Sequence, residues 1–470
     1  MENPQKRTTK VKNKSGSSVG GQQYAAHANK HDGTEHLRVW YTNVDSLRGK
    51  LPELESRINL QMSPDIIVIT ETWAKHGRNP GTEAEYQIRG FNLHCTQLDT
   101  GRGICVYTKC TLKTDIVETT SSYKEQLCLS IPLHKGDRLI LCSVYRSPNS
   151  DDANNDMMYE LLEEINQIRA SHKLILGDFN LPNINWRNNS AADRKSEKFL
   201  DTIQRFYWTQ HTLEPTRARG TNTPSVLDLI MTEDENNIDN LVYESPLGKS
   251  DHCLINFNYN CYSLHNSTSY LKYFFDKGDY ISFNRVFQAD WDSAEESGEM
   301  DGVGPEELWK IFLRIYYKNL EEHVPSKVIS NGGKKWTIPL DTKLREKIRE
   351  KHRAWRKFMR NKNDENQRAY IKCRNFIRNQ TRKIRNNYEK NIAMEAKVNP
   401  KKFWSYVKSK TKIKQELPEL ITTEGTAKSD QEKADALNAF FASVFVKEPG
   451  EKYPFSRIKN SSLPTRRGLL

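Results

Sequence analysis

The stretch Lys173-Leu174-Ile175-Leu176-Gly177-Asp178-Phe179-Asn180 decides how this 470-residue chain is read. A short apolar run closed by Gly-Asp is a buried strand that surfaces at its C-terminal end. It leaves an acid and an amide, Asp178 and Asn180, at a sheet edge, where binding and catalytic groups commonly sit. A Gly-Asp turn with an Asn cap would explain the same residues. The weight therefore rests on whether other strands end in the same way.

Other segments do. Ile66-Ile67-Val68-Ile69 is a second continuous apolar run, and Thr70-Glu71-Thr72-Trp73 closes it with a carboxylate. Asn43-Val44-Asp45 follows a short strand at 37–41, where it could equally cap a helix from Ser46 onward. Tyr145-Arg146-Ser147-Pro148 ends a strand at 138–145. Leu227-Asp228-Leu229-Ile230 sets a carboxylate inside an apolar run, which is costly without a partner. An imidazole N–H is the obvious partner type; it would fix the tautomer and favour the protonated ring. Ser250-Asp251-His252 opens the strand-like run 253–259. Each segment alone has an ordinary reading: a polar strand end, a half-buried aromatic, a solvated loop pair. Gathered on one rim, they suit hydrolysis of a phosphodiester with a hard divalent cation.

Between these segments, apolar spacing predicts helices at 46–60 (Leu47, Leu51, Leu54, Ile58), 152–170 and near 193–207. Further strands are expected at 91–95, 103–109, 126–133 and 226–232. Interleaved strands and helices argue for one α/β domain over residues 37–260, its sheets buried under helices. Residues 1–36 read as a disordered basic tail. Residues 261–340 read as a helical connector, 341–414 as a long basic helical segment, and 415–470 as short helices with a disordered C-terminus.

Charge follows these divisions. The net charge of +12 combines a basic N-terminal stretch, +5 over residues 1–30, an acidic body, −12 over residues 31–342, a basic segment, +19 over residues 343–414, and a neutral end, residues 415–470. Lys and Arg release counterions from phosphates, and the interleaved aromatics can stack on unpaired bases. Arg353, Arg356, Lys357, Arg382 and Lys383 are the candidate nucleic-acid contacts. A solvated helix with its aromatics packed inward is the alternative, and the spacing of Trp355, Phe358 and Met359 fits it. An acidic body that binds DNA needs a local basic rim. No apolar run approaches ~18 residues, so no membrane span is expected, nor is there an N-terminal stretch of signal-peptide type. Eight cysteines are scattered with no Cys-x-x-Cys pair, which argues against a zinc module and for reduced, buried thiols.

The ordered set Asn43…Glu71…Tyr145…Gly177-Asp178-Phe179-Asn180…Leu227-Asp228…Ser250-Asp251-His252 resembles the endonuclease/exonuclease/phosphatase superfamily over roughly residues 37–260. The resemblance implies a DNase I-like, four-layered α/β/β/α sandwich followed by a mainly helical region. It implies Mg²⁺, with Mn²⁺ as a substitute, held by Glu71 with Asp45 and Asp251. Asp178 would orient or deprotonate the attacking water. Asn43, Asn180 and Tyr145 would contact the phosphate or the metal shell, with Arg146 and Ser250 beside them. His252, held by Asp228, would sit on a non-bridging oxygen.

A narrower likeness is to LINE-type retrotransposon endonucleases of jockey-like and chicken-repeat kind. It rests on Ile69-Thr70-Glu71-Thr72-Trp73, Val144-Tyr145-Arg146-Ser147-Pro148, Pro215-Thr216-Arg217, Ser225-Val226-Leu227-Asp228-Leu229 and Pro246-Leu247-Gly248-Lys249-Ser250-Asp251-His252. Lys335-Trp336, the basic helix, Asn399-Pro400-Lys401-Lys402-Phe403-Trp404 and Ala439-Phe440-Phe441-Ala442-Ser443-Val444-Phe445 resemble the linker before a reverse transcriptase, which implies a partial pre-polymerase region over 415–470. This implies nuclear nicking of target DNA for primed reverse transcription, with the element's RNA as a second partner. No Tyr-x-Asp-Asp box follows, and Ser461 to Leu470 does not read like the start of a polymerase. The chain reads as truncated or re-spliced, with polymerase activity supplied by another chain. A phosphatase or lipid phosphodiesterase of the same superfamily is a rival; a catalytically idle nucleic-acid-binding relic is another.

Overall fold

Apolar runs that would expose both faces of a lone strand force the chain into stacked sheets. In the computed structural model the residues described are 29–60, 63–74, 82–98, 101–220, 223–330, 342–411, 420–422, 425–427 and 429–444. In chain order they form β1 (Asn29–Asn43), α1 (Leu51–Leu60), β2 (Ile66–Thr70), β3 (Phe91–Thr96), β4 (Ile104–Lys109), β5 (Asp115–Ile116), β6 (Gln126–Pro132), β7 (Arg138–Tyr145), α2 (Asp152–Gln167), β8 (His172–Asp178), β9 (Ile184–Asn185), β10 (Ser190–Ala191), α3 (Arg194–Arg205), β11 (Thr209–Gln210), β12 (Asp228–Thr232), β13 (Ile238–Glu244) and β14 (Leu254–Tyr273). One sheet runs β13-β14-β1-β2-β4-β3, and the other runs β11-β12-β8-β7-β6-β5.

Successive side chains alternate faces, which explains the layers. Val39, Tyr41, Val68 and Val106 of the first sheet meet Leu129, Leu141, Leu174, Leu176 and Ile230 of the second in one buried cluster. Their strand neighbours Trp40, Ile67, Ile69 and Tyr107 face outward onto Leu51, Leu54 and Ile58 of α1. Ile140, Ile175, Leu229 and Met231 face the other way, onto Met158, Leu161, Leu162 and Ile165 of α2 and Phe199 and Ile203 of α3. The order of layers is therefore α/β/β/α, as the resemblance implied.

Several boundaries differ from expectation. β1 begins at Asn29, inside the stretch expected to be a disordered tail; residues 1–28 lie outside those described. β14 crosses the expected domain end at 260 and runs to Tyr273, because its polar second half pairs with the polar first half of β1, Asn29 opposite Thr268. The expected helical connector accordingly contains the end of β14 and β15 (Ser326–Ser330), which pairs with it, as well as α4 (Tyr280–Glu296) and α5 (Pro305–His323). Phe287 and Trp291 of α4 pack on Phe312 of α5.

The basic segment is helical: α6 (Thr342–Arg360), α7 (Asp364–Met394) and α8 (Pro400–Thr411). Trp355, Phe358 and Tyr370 form a packed cluster, so these aromatics face inward. Cys128 and Cys142, expected as separate thiols, face each other across β6 and β7 and form a disulfide. The described residues beyond 412 belong to a second unit, in which β16 (Leu420–Thr422) pairs with β17 (Gly425–Ala427) ahead of α9 (Asp430–Ser443). Ser429 caps α9 through a reciprocal bond with Glu432. Among the described residues no helix is long and apolar enough to cross a membrane.

Candidate active site

Strand register builds the site. β7 and β8 are parallel with Tyr145 beside Asp178, and β12 is antiparallel to β8 with Asp228 beside Asp178. Three polar side chains thus lie in one row at one end of the second sheet. In the first sheet, β1 and β2 are parallel with Asn43 beside Thr70, the residue before Glu71. Gly177 is what lets this row close. A Cβ there would lie 1.8 Å from the Val144 carbonyl oxygen, so no other residue fits between β8 and β7.

Two hydrogen bonds tie the rows across the sheet interface. Asn43 Nδ2 donates to Asp178 Oδ2 at 2.8 Å, and the Tyr41 hydroxyl donates to Asp228 Oδ1 at 2.9 Å. Asp228 accepts on its other oxygen from His252 Nδ1 at 2.8 Å. The buried carboxylate found in an apolar run is thus satisfied twice, once by the imidazole expected of it. His252 Nε2 is left facing the cleft, 3.9 Å from Asp178 Oδ2 and 3.9 Å from Asp251 Oδ1.

Electrostatics separate the roles. Asp178 is 1% exposed, and burial pushes its carboxyl up to about 7; Asp228 and Glu71 push the same way, against the pull of His252 and Asn43. Burial alone would lower His252, but Asp228 and then Asp178 outweigh it and hold the imidazole at about 9. A carboxylate poised near neutrality beside a stably protonated imidazole is an arrangement for moving a proton and gripping an anion.

Glu71 and Asp45 form the other wall. The segment after β1 does not cap a helix at Ser46; α1 starts at Leu51. Instead Ser46 N donates to Glu71 O and Leu47 N to Thr72 O, both at 2.8 Å, which staples Asp45 beside Glu71. The Tyr145 hydroxyl hydrogen-bonds Glu71, and burial followed by that carboxylate raises its pKa. Arg102 pairs with Glu71 and, at 2.8 Å, with Asp45. Asp45, Glu71, Arg102 and Asn180 all have φ between 42° and 68°. Such left-handed backbone costs a non-glycine residue about 1–2 kcal/mol and gathers at functional sites.

These groups line a cleft of about 600 Å³, with Arg217, Arg219 and Lys249 on its rim. This is the local basic rim that an acidic body needs in order to take an anionic substrate. Arg217 holds Asp251 at 3.0 Å. Arg102, Arg219 and Tyr41 were not anticipated from sequence; Gly101-Arg102-Gly103, three consecutive residues with positive φ, is the signal that marks the first.

Of the expected site residues, Asn43, Asp45, Glu71, Tyr145, Asp178, Asn180, Asp251 and His252 all line the cleft, and Asp228 lies behind His252. Two others do not line it. Arg146 is buried, with its guanidinium donating to Asn155 Oδ1 at 2.7 Å and to Asn180 O at 3.2 Å; it supports the loop carrying Asn180. Ser250 Oγ donates to Asn43 O at 2.7 Å and accepts from His252 N, so it fixes the histidine loop. Arg353, Arg356, Lys357, Arg382 and Lys383 are exposed on α6 and α7, away from the cleft lining.

A divalent cation fits the Glu71 wall by donor chemistry. Glu71, Asp45 and the Asn43 amide offer only oxygens, the ligands Mg²⁺ prefers, and Arg102 shows that a positive charge is wanted there. Asp178, Asp228 and His252 also bring ligand atoms within 4.8 Å of one another. There one donor is a nitrogen, and Asp228 and His252 are committed to each other; at Glu71 and Asp45 a hard cation would meet oxygens and take the place of Arg102.

Residues 139–256 match the family described as endonuclease-reverse transcriptase. No curated protein matches the chain. Among solved structures, the endonuclease domain of TRAS1, a telomere-specific non-LTR retrotransposon, is 16% identical and aligns 48% of this chain with 99% of its own at a TM-score of 0.39. An AP endonuclease from Leishmania major is 14% identical, with 48% and 88% covered and a TM-score of 0.38. A 3′-5′ exonuclease from Neisseria meningitidis is 14% identical, with 48% and 100% covered and a TM-score of 0.38.

Proposed function

We propose that this chain is a divalent-metal-dependent endonuclease that nicks DNA and leaves a 3′-hydroxyl for reverse transcription of a non-LTR retrotransposon. One observation carries the reading: Asp178 and His252, the latter held by Asp228, line the same cleft as the oxygen donors of Glu71 and Asp45. A phosphodiester needs a base for water, a cation for its charge and a donor for its oxygens, and this cleft offers each on a separate group.

Glu71 and Asp45, with Asn43 and Asp251 near them, would hold Mg²⁺ or Mn²⁺. Bound there, the cation would neutralise charge developing on the phosphate and the leaving oxygen. Asp178 accepts the proton of the attacking water, and Asn43 Nδ2 orients its carboxylate. His252 stays protonated because Asp228 holds it, and its Nε2–H donates to a non-bridging oxygen. Tyr145 and Asn180 add donors from the second sheet. Arg217, Arg219 and Lys249 attract the backbone on either side of the scissile bond. The exposed Arg353, Arg356, Lys357, Arg382 and Lys383 are proposed to extend that contact to DNA or to the element's RNA, in a nuclear setting and with polymerase activity from another chain.

Incubation with supercoiled plasmid tests the reading. Nicked circles are expected with Mg²⁺ and none with EDTA, and a DNA polymerase should extend the nick without prior phosphatase treatment. Release of inorganic phosphate from monoesters without nicking would favour a phosphatase instead.

A further inference from the structure

Outside the cleft, one cluster of buried charges joins α6 to α1. Lys351 of α6 and Arg57 of α1 are both 0% exposed and share Glu53, itself 3% exposed, each at 2.7 Å. Glu244 supplies a second carboxylate 3.8 Å from Arg57. Buried charges are tolerated only when paired and fully hydrogen-bonded, and here the remaining bonds converge on one short loop. Lys351 Nζ donates to Pro246 O at 2.8 Å; Arg57 donates to Ser245 O at 2.8 Å and to Pro246 O at 3.0 Å. Gly248 N donates to Glu53 Oε2 at 3.0 Å. His352 Nδ1 meets Ser245 Oγ at 2.9 Å.

That loop leads straight into the site. Ser250 N donates to Leu247 O at 2.9 Å, and His252 N donates to Ser250 Oγ at 3.2 Å. One turn further along α6, Trp355 and Phe358 pack with Tyr370 against Ala218. Ala218 N donates to Asp251 O at 2.9 Å, and its neighbours Arg217 and Arg219 line the cleft. Lys351, Trp355 and Phe358 share one helix face at spacings of four and three. Arg353, Arg356 and Lys357 on the same helix are exposed.

We infer that α6 is a brace for both active-site loops, and that its Lys351 is a positioning residue that sets His252 through Glu53 and the Pro246 carbonyl. The basic segment is then a working part of the cleft as well as a polycation beside it. The inference concerns the loops themselves; only its activity arm rests on the nuclease reading.

The test uses the full chain carrying Lys351→Met, which leaves Glu53 paired with Arg57 and Gly248 N but without the lysine. Hydrogen–deuterium exchange of residues 216–218 and 245–252 should speed up at least ~10-fold, with β7 and β8 keeping wild-type protection. Nicking kcat should fall at least ~10-fold with KM for DNA within ~2-fold, and in a His252→Ala background the same change should cost less than ~2-fold. Unchanged loop exchange, exchange raised evenly across the sheets, or losses that multiply in the double variant would each overturn the brace. If Lys351→Met does not fold, Lys351→Gln, which keeps a donor for Pro246, should show the same loop-restricted exchange at smaller amplitude. A wild-type chain that never nicks DNA removes the nuclease reading and leaves the exchange pattern to decide.

Discussion

Replacing Asp228 by Asn should disable the cleft without unfolding it. The substitution keeps shape, and the amide oxygen can still accept from the Tyr41 hydroxyl. What disappears is the charge 2.8 Å from His252 Nδ1. That charge is the largest influence opposing burial, and together with Asp178 it holds the imidazole at about 9 against an ordinary value of 6.5. Two and a half units correspond to about 3 kcal/mol of preference for the protonated ring. Without it, only Asp178 and Asp251 oppose burial, so the imidazole's pKa drops well below its wild-type value and the ring is less protonated at pH 7.5. The neutral ring, facing the amide N–H of the new side chain, takes its one proton on Nε2, so only an uncharged donor is left toward the phosphate. Plasmid nicking at pH 7.5 should fall ~10²–10³-fold, the range expected when a proton-handling group is mis-set. The wild-type rate should hold up to about pH 9, where the imidazolium is lost, while the variant should already decline through neutrality. A variant that nicks within ~3-fold of wild type across that pH range would refute the reasoning, because such a loss is far below what ~3 kcal/mol requires.

Three further outcomes follow from geometry. Gly177→Ala drives a Cβ to 1.8 Å from the Val144 carbonyl oxygen; overpacking of at least ~3 kcal/mol should lower the melting temperature by about 6–12 °C, read by circular dichroism. Glu53, held down at about 2 by Lys351 and Arg57 against its own burial, has an ordinary value of 4.5. Its pairing stabilises the fold fully above about pH 4.5 and loses ~3 kcal/mol as pH falls toward 2, because only the unfolded state takes up the proton in that window. Urea unfolding at pH 7 and pH 3 should show about 2 kcal/mol of that loss in wild type and not in Glu53→Gln; the same drop in unfolding free energy in both would contradict it. Replacing Arg382 and Lys383 together by Ser should reduce the salt dependence of DNA binding by up to about 2 units of slope, measured by filter binding, with nicking of short duplexes unchanged at saturation.

Much of this arrangement was legible in the chain because it is written locally. Apolar runs of four to seven residues marked β2, β7 and β8, and the polar residues that end them are the row of the site. The buried Asp228 could be assigned a partner type, an imidazole N–H, from energetics; the resemblance implied His252, and His252 is the partner. What stayed hidden depends on distant pairing. The polar halves of β1 and β14 carry no strand pattern and become strands by pairing with each other. The five residues after Asn43 look like the start of a helix but are stapled to the Glu71 loop by backbone bonds that no side chain announces. Arg146 sits in the right motif and faces the wrong way, since Asn155 on α2 captures its guanidinium. Lys351 and Glu53 are 298 residues apart, and neither looks buried in a segment rich in charge.

The most direct measurement compares the initial rate of plasmid nicking in Mg²⁺ for the wild-type chain, Asp178→Ala and His252→Ala, purified in parallel. If both groups act on one phosphate, each variant should lose at least ~10²-fold, and EDTA should stop the wild type. Equal rates for all three chains, or nicking that persists without metal, would contradict the account.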